Sequence, residues 1–136
     1  MPLARISVKR SESEGFIERV GEAVHRAMVE AIGIPEGDHF QVITEHDEGL
    51  VYDPTFLGIN RTPGIVVIQI TLAAGRSTEL KKKLYKTIAD QLATSAGVRP
   101  EDVFISLLEV LPENFSFGNG EAQFADTLPP HLRETG

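Results

Sequence analysis

Apolar positions along the chain change rhythm four times, and each change marks an element. Leu3 to Val8 reads as a short apolar strand. Phe16, Val20, Val24, Ala27 and Ala31 then recur at the spacing of a helix. Ser11, with Glu14 three residues on, resembles a capping box ahead of that helix, and Gly33 stops it. Phe40 to Thr44, dominated by β-branched and aromatic residues, forms a second strand. The order then repeats. Ile65 to Leu72 ("IVVIQITL") is a strand, Gly75 turns the chain, Ser77 caps, and Leu80, Leu84, Ile88 and Leu92 make a helical stripe. Gly97 ends it, and Val103 to Val110 ("VFISLLEV") is the fourth strand.

Sliding one half over the other by 64 residues superimposes Gly33 on Gly97, Asp38 on Asp102, Phe40 on Phe104, Val20 on Leu84 and Val24 on Ile88. The chain is a duplicated β-α-β unit. A strand, a crossover helix and a second strand in about 45 residues make a right-handed parallel unit. Two of them edge to edge predict an α+β (α/β two-layer) fold, a four-stranded mixed sheet with both helices on one face. The other face is left bare. Because "IVVIQITL" is apolar on both alternating sets, as a strand buried on both sides would be, an oligomer that packs these sheets together is expected. The domain reading is a single unit, 1–136, with pseudo-repeats at about 2–46 and 65–110. Between them a hairpin or loop, 47–64, is expected to wrap a neighbouring subunit. A polar tail, 111–136, carries a glycine turn at "FGNGE" and a frayed end from Pro129.

Composition narrows the partners. The 136 residues carry a formal net charge of -7 and contain no cysteine. An acidic chain without a basic run offers no footprint for nucleic acid or an anionic membrane, and Lys81-Lys82-Lys83 reads as a solvated helix face. Disulfides and thiolate metal sites are excluded. His39 and His46, with Glu45 and Asp47, lack helical ligand spacing, so no metal site is expected. The first thirty residues are charged throughout, which points to a cytoplasmic protein without a signal peptide or spanning helix.

The stretch "LAAGRSTELKKKLYKTIADQLATSAGVRPEDVFISLLEV", followed by "NFSFGNG", resembles the subunit of the 4-oxalocrotonate tautomerases. Proline after the initiator Met, the duplicated unit and the length are similar to the longer members of that superfamily. "MVEAIGIPEGDHFQVIT", "LGINRTPGIVVI" and "FSFGNGEAQF" are most similar to malonate semialdehyde decarboxylases. The resemblance implies the β-α-β tautomerase fold, a homotrimer, no cofactor, a small carboxylate substrate, and Pro2 exposed as the catalytic amino terminus once Met1 is removed. It implies a substrate-binding role for Arg76 in the "GRS" motif, and an aromatic wall from Phe115, Phe117 and Phe124. The decarboxylase pattern carries a further arginine two residues before Arg76, where this chain has Ala74.

The chemistry of these residues leaves alternatives open. An α-amino group titrates near ~7.7–8.0; an apolar pocket lowers that value and gives a base, whereas a nearby carboxylate raises it and gives an acid. A neutral Pro2 suits keto-enol tautomerisation, and a cationic Pro2 suits decarboxylation or hydration. Arg76 opens a helix, where a cation is mildly unfavourable, so a carboxylate seat is one reading and a solvated surface residue the other. Asp38 aligns with a decarboxylase carboxylate near Pro2, yet Asp102 repeats it, and a turn-forming role is the competing reading. The phenylalanines serve a pocket wall or plain packing. Against all enzymatic readings stands a non-catalytic oligomer that binds a partner protein.

Overall fold

A computed structural model describes residues 2–132. Its main elements are β1 (Leu3–Lys9), α1 (Phe16–Ile32), β2 (Phe40–His46), β3 (Val66–Ala73), α2 (Thr78–Ala96) and β4 (Val103–Val110), followed by a single turn, α3 (Gln123–Asp126). The sheet order is β2-β1-β3-β4. β1 pairs parallel with β2 and β3 with β4, while β1 and β3 run antiparallel at the centre. This is the mixed four-stranded sheet that two linked β-α-β units predict.

Alternation places Ala4, Ile6 and Val8 of β1 and Val66, Ile68 and Ile70 of β3 toward the helices, where each is at most 2% exposed. Val20, Val24 and Met28 of α1 and Leu84, Ile88 and Leu92 of α2 meet them, at 1% or less. Each such valine, leucine, isoleucine or methionine side chain contributes about 1.5–3 kcal/mol by leaving water. Both helices stop in the same way: Gly33 (φ 69°) and Gly97 (φ 67°) adopt the left-handed conformation that a Cβ disfavours. Ser77 caps α2, its hydroxyl accepting from the Leu80 N–H at 3.2 Å.

Ser11 does not cap α1. The helix begins only at Phe16, after Gly15 in a left-handed turn (φ 76°), and Ser11 Oγ instead accepts from the Ser13 N–H at 3.1 Å. Arg19 holds this entry by donating to the Glu14 carbonyl at 2.8 Å and to Ser13 Oγ at 2.9 Å. Nor do residues 47–64 contain a hairpin. They form a loop with one 3-10 turn, Phe56–Gly58, because Arg61 Nη1 gathers the carbonyls of Asp53, Phe56 and Ile59 at 3.0–3.3 Å.

The open face of the sheet has three cross-strand rows. Phe40, Leu3, Thr71 and Leu108 form the first; Val42, Arg5, Gln69 and Ser106 the second; Thr44, Ser7, Val67 and Phe104 the third. Phe40, Val42, Phe104 and Leu108 are 44–55% exposed. β3 is therefore not apolar on both sides along its length, since Gln69 is exposed in the polar middle row. The tail is ordered beyond the point where fraying was expected: Pro129 is buried and residues 130–132 close a further turn. Met1 and 133–136, with the rest of the expected frayed end, lie outside the described residues. Among the described residues, no helix is long and apolar enough to cross a membrane.

Candidate active site

The strand order brings Pro2 to the end of the sheet where β3 finishes. The antiparallel pair Leu3–Thr71, extended by one residue, sets Pro2 opposite Leu72; the parallel pair Leu3–Phe40 sets it level with His39, directly after Asp38. Pro2 is buried. Starting a strand with proline costs no ladder hydrogen bond, so the position suits the residue. Beside it opens a cavity of about 260 Å³ lined by Pro2, Leu3, Phe40, Phe115, Ser116 and Phe117.

The aromatic wall is built by the segment after β4. The rings of Phe115 and Phe117 stack at 5.2 Å, and Phe124 meets Phe117 edge to face at 5.0 Å. Gln123 stitches the intervening loop: its Oε1 accepts from the Phe117 N–H and its Nε2 donates to the Gly118 carbonyl, both at 2.9 Å. Gly118, Asn119 and Gly120 all have positive φ, which makes this tight return possible. Of the three phenylalanines, Phe115 and Phe117 line the cavity and Phe124 buttresses Phe117 from outside.

Arg76 lies on the loop that leaves β3, four residues past Leu72, and does not line the Pro2 cavity. Its Nη1 donates to the Ala73 carbonyl at 3.2 Å, and its Nε is buried without a partner. Burial pulls its pKa below the ordinary guanidinium value, opposed by the charge of Glu109. Glu109 is already paired with Lys81 at 2.5 Å. Among the described residues, Arg76 forms no ion pair, so its charge is available to an anion.

The two repeat-related aspartates do different things. Asp102, 2% exposed, accepts from the Thr62 N–H at 2.7 Å and from Thr62 Oγ at 2.6 Å, with Arg99 Nη1 at 3.6 Å. It tethers the connecting loop to the head of β4. Asp38 is half-buried at the Pro2 end of the sheet, its N–H bonded to the Pro35 carbonyl at 3.0 Å. His39 stacks on His25 at 3.9 Å, and among the described residues no group of three or more histidine and carboxylate side chains gathers to hold a metal.

Two neighbours of the Arg76 loop escape sequence reasoning. His131 Nε2 bonds the Ala74 carbonyl at 3.2 Å, and the Leu132 side chain fills the space where a Cβ on Gly75 (φ 127°) would stand. The one local hint is the glycine itself, since nothing in the pattern links positions 57 residues apart.

Residues 38–118 match the family model described as "Tautomerase enzyme", and residues 2–52 match a second model of the same description. A probable tautomerase of Bacillus subtilis (strain 168), YusQ, is 40% identical over 127 residues, 93% of this chain and 100% of that protein. The FG41 malonate semialdehyde decarboxylase inhibited by 3-bromopropiolate superimposes with a TM-score of 0.84 at 37% identity, covering 90% of this chain and 93% of that one. A fused 4-OT symmetric trimer shares the fold at a TM-score of 0.74 and 21% identity, over 90% of this chain and 97% of its own. The chain belongs to the tautomerase family. It is an enzyme of that superfamily, with malonate semialdehyde decarboxylases among its relatives, which sets aside the reading of a non-catalytic binding protein.

Proposed function

We propose that this protein is a cofactor-independent tautomerase in which Pro2, freed by removal of Met1, moves a proton between carbon and oxygen of a small oxo-carboxylic acid. The observation that carries this is a buried proline at a strand head, walled by Phe40, Phe115 and Phe117, with a guanidinium on the adjoining loop whose Nε is buried without a partner and which, among the described residues, forms no ion pair. The apolar walls disfavour an ammonium, so the secondary amine is neutral near working pH and acts as a base. It takes the proton from the carbon beside the carbonyl; the electron pair moves onto oxygen, which is then protonated to give the enol. Arg76 holds the substrate carboxylate by charge-assisted hydrogen bonds.

A second reading is supported by Asp38 beside the position level with Pro2, and by the decarboxylase relatives. A carboxylate there favours a cationic Pro2, which polarises a carbonyl while a malonate semialdehyde-type substrate loses carbon dioxide, and then protonates the carbanion. Homotrimer formation through the open sheet face belongs to the same proposal. The exposed Phe40, Val42, Phe104 and Leu108 and the trimeric fused 4-OT support it.

Intact mass establishes whether Met1 is removed. Parallel assays with an enolisable 2-oxo acid and with malonate semialdehyde then compare wild type with Pro2→Ala. Equal activity of the two proteins on both substrates overturns the proposal. A rate that falls below a pKa of about 6–7 marks Pro2 as base; one that falls above about 8–9 marks it as acid.

A further inference from the structure

The loop between β3 and α2 is pinned from both sides. The Ala74 N–H donates to the Val110 carbonyl of β4 at 2.8 Å, and the Ala74 carbonyl takes a bond from His131 at 3.2 Å. A carbonyl only accepts, so His131 Nε2 carries the hydrogen and donates, whatever the charge of the ring. In the neutral ring Nδ1 is then a bare acceptor, and it is buried without a partner. Arg76 Nε, a donor on the same loop, is also buried without a partner. Leu132, next to His131, fills the hollow over Gly75, the residue before Arg76. The C-terminal turn thus grips the two residues that precede the guanidinium.

We propose that His131 is a positioning residue for Arg76: its imidazole anchors the Ala74 carbonyl, Leu132 locks Gly75, and the two hold the guanidinium in the pose that receives the substrate carboxylate. This rests on the proposed carboxylate role of Arg76. It has a chemical consequence, because the ring titrates. Burial first, and then the charge of Arg76, hold its pKa below the ordinary histidine value, opposed by bonds to the Ala74 and Ala73 carbonyls. Among the described residues, the charge of Glu109 of β4 acts on Arg76, and Glu109 is paired with Lys81 of α2. A carboxylate docked on Arg76 cancels the repulsion and raises the affinity of His131 for a proton. By reciprocity, protonating His131 tightens carboxylate binding by the same factor.

The test follows the four histidines by NMR during pH titrations of the full chain, with and without saturating malonate as a non-reacting carboxylate. The His131 midpoint is expected to rise with malonate, and malonate affinity to grow about 5-fold from pH 8 to pH 5, at the low end of measured couplings. An amino-terminal proline ordinarily titrates in a neighbouring window, so His131→Gln separates the two: glutamine retains an N–H for Ala74 but no charge change. H131Q is expected to bind malonate as wild type does at pH 8 and to lose the 5-fold gain at pH 5. H131A is expected to raise KM for the 2-oxo acid several-fold with kcat nearly unchanged. If malonate binds and Arg76→Gln abolishes that binding, yet the His131 midpoint stays put or H131Q keeps the full pH dependence, this inference is overturned and the role of Arg76 stands. If R76Q binds malonate like wild type, the carboxylate role of Arg76 fails and the inference with it.

Discussion

Replacing Asp102 by alanine tests whether duplication has given one aspartate to the scaffold. The carboxylate receives two hydrogen bonds from Thr62, at 2.7 and 2.6 Å, while its approach to Arg99 is long and the arginine 42% exposed. A hydrogen bond to a charged group contributes about 1.5–3 kcal/mol net. Thr62 is only half-buried, so water partly re-solvates its donors and the lower value applies. Two bonds then give about 3 kcal/mol, and the exposed ion pair adds little. With urea slopes of about 1–3 kcal/mol per molar, the unfolding midpoint of Asp102→Ala should fall by about 1–3 M at fixed protein concentration. Activity of the folded fraction should be unchanged, because Asp102 lies at the opposite end of the sheet, roughly 20 Å along β1 from Pro2. Asp38→Asn should do the reverse and alter the pH-rate profile more than the stability. An unchanged midpoint for D102A, or lost activity in fully folded D102A, would refute the division of roles.

Four further outcomes are expected. Ile88→Ala, in a position 0% exposed between the helices and the sheet, should cost about 2–5 kcal/mol in urea unfolding. Gly75→Ala meets both an unfavourable φ of 127° and the Leu132 side chain, so its KM for carboxylate substrates should rise about tenfold while far-UV circular dichroism is unchanged. Phe117→Ala wets the Pro2 cavity and favours the ammonium, moving the acid limb of the kcat/KM profile to higher pH; a limb that stays in place would detach the aromatic wall from the amine. In the absence of a carboxylate ligand, which would cancel the charge of Arg76, His131 binds a proton less readily when docked than when free, so docking of the ligand-free tail is strongest above the ordinary histidine value and weakens as pH falls through it. Hydrogen exchange of the Leu132 amide, bonded to the Pro129 carbonyl at 2.9 Å, should accelerate between pH 7.5 and 5 relative to α2 amides, once intrinsic rates are corrected.

Short-range physics made most of the fold legible. Gly33 and Gly97 end their helices because a left-handed residue is needed there, and Ser77 caps because its hydroxyl meets the Leu80 N–H. Ser11 misled because Gly15 shifts the helix entry to Phe16, a backbone choice that the capping pattern does not encode. Pro2, Phe115 and Phe117, singled out through the family resemblance, line one cavity, whereas Arg76 sits on the neighbouring loop and Phe124 one layer out. His131 and Leu132 stayed invisible, since their docking depends on a surface assembled from β3 and β4 and leaves no periodic trace.

The open face carries a consequence for assembly. Its outer rows mix Phe40, Leu3, Leu108, Val67 and Phe104 with small hydroxyl residues, but its central row, with Arg5, Gln69 and Ser106, brings larger hydrogen-bonding groups that must find matches when covered. Sliding two such faces past one another by one row would bury those groups against Phe40 or Phe104 and strand them without partners. A purely oily surface would tolerate many alignments; this striped one acts as a vernier that admits few.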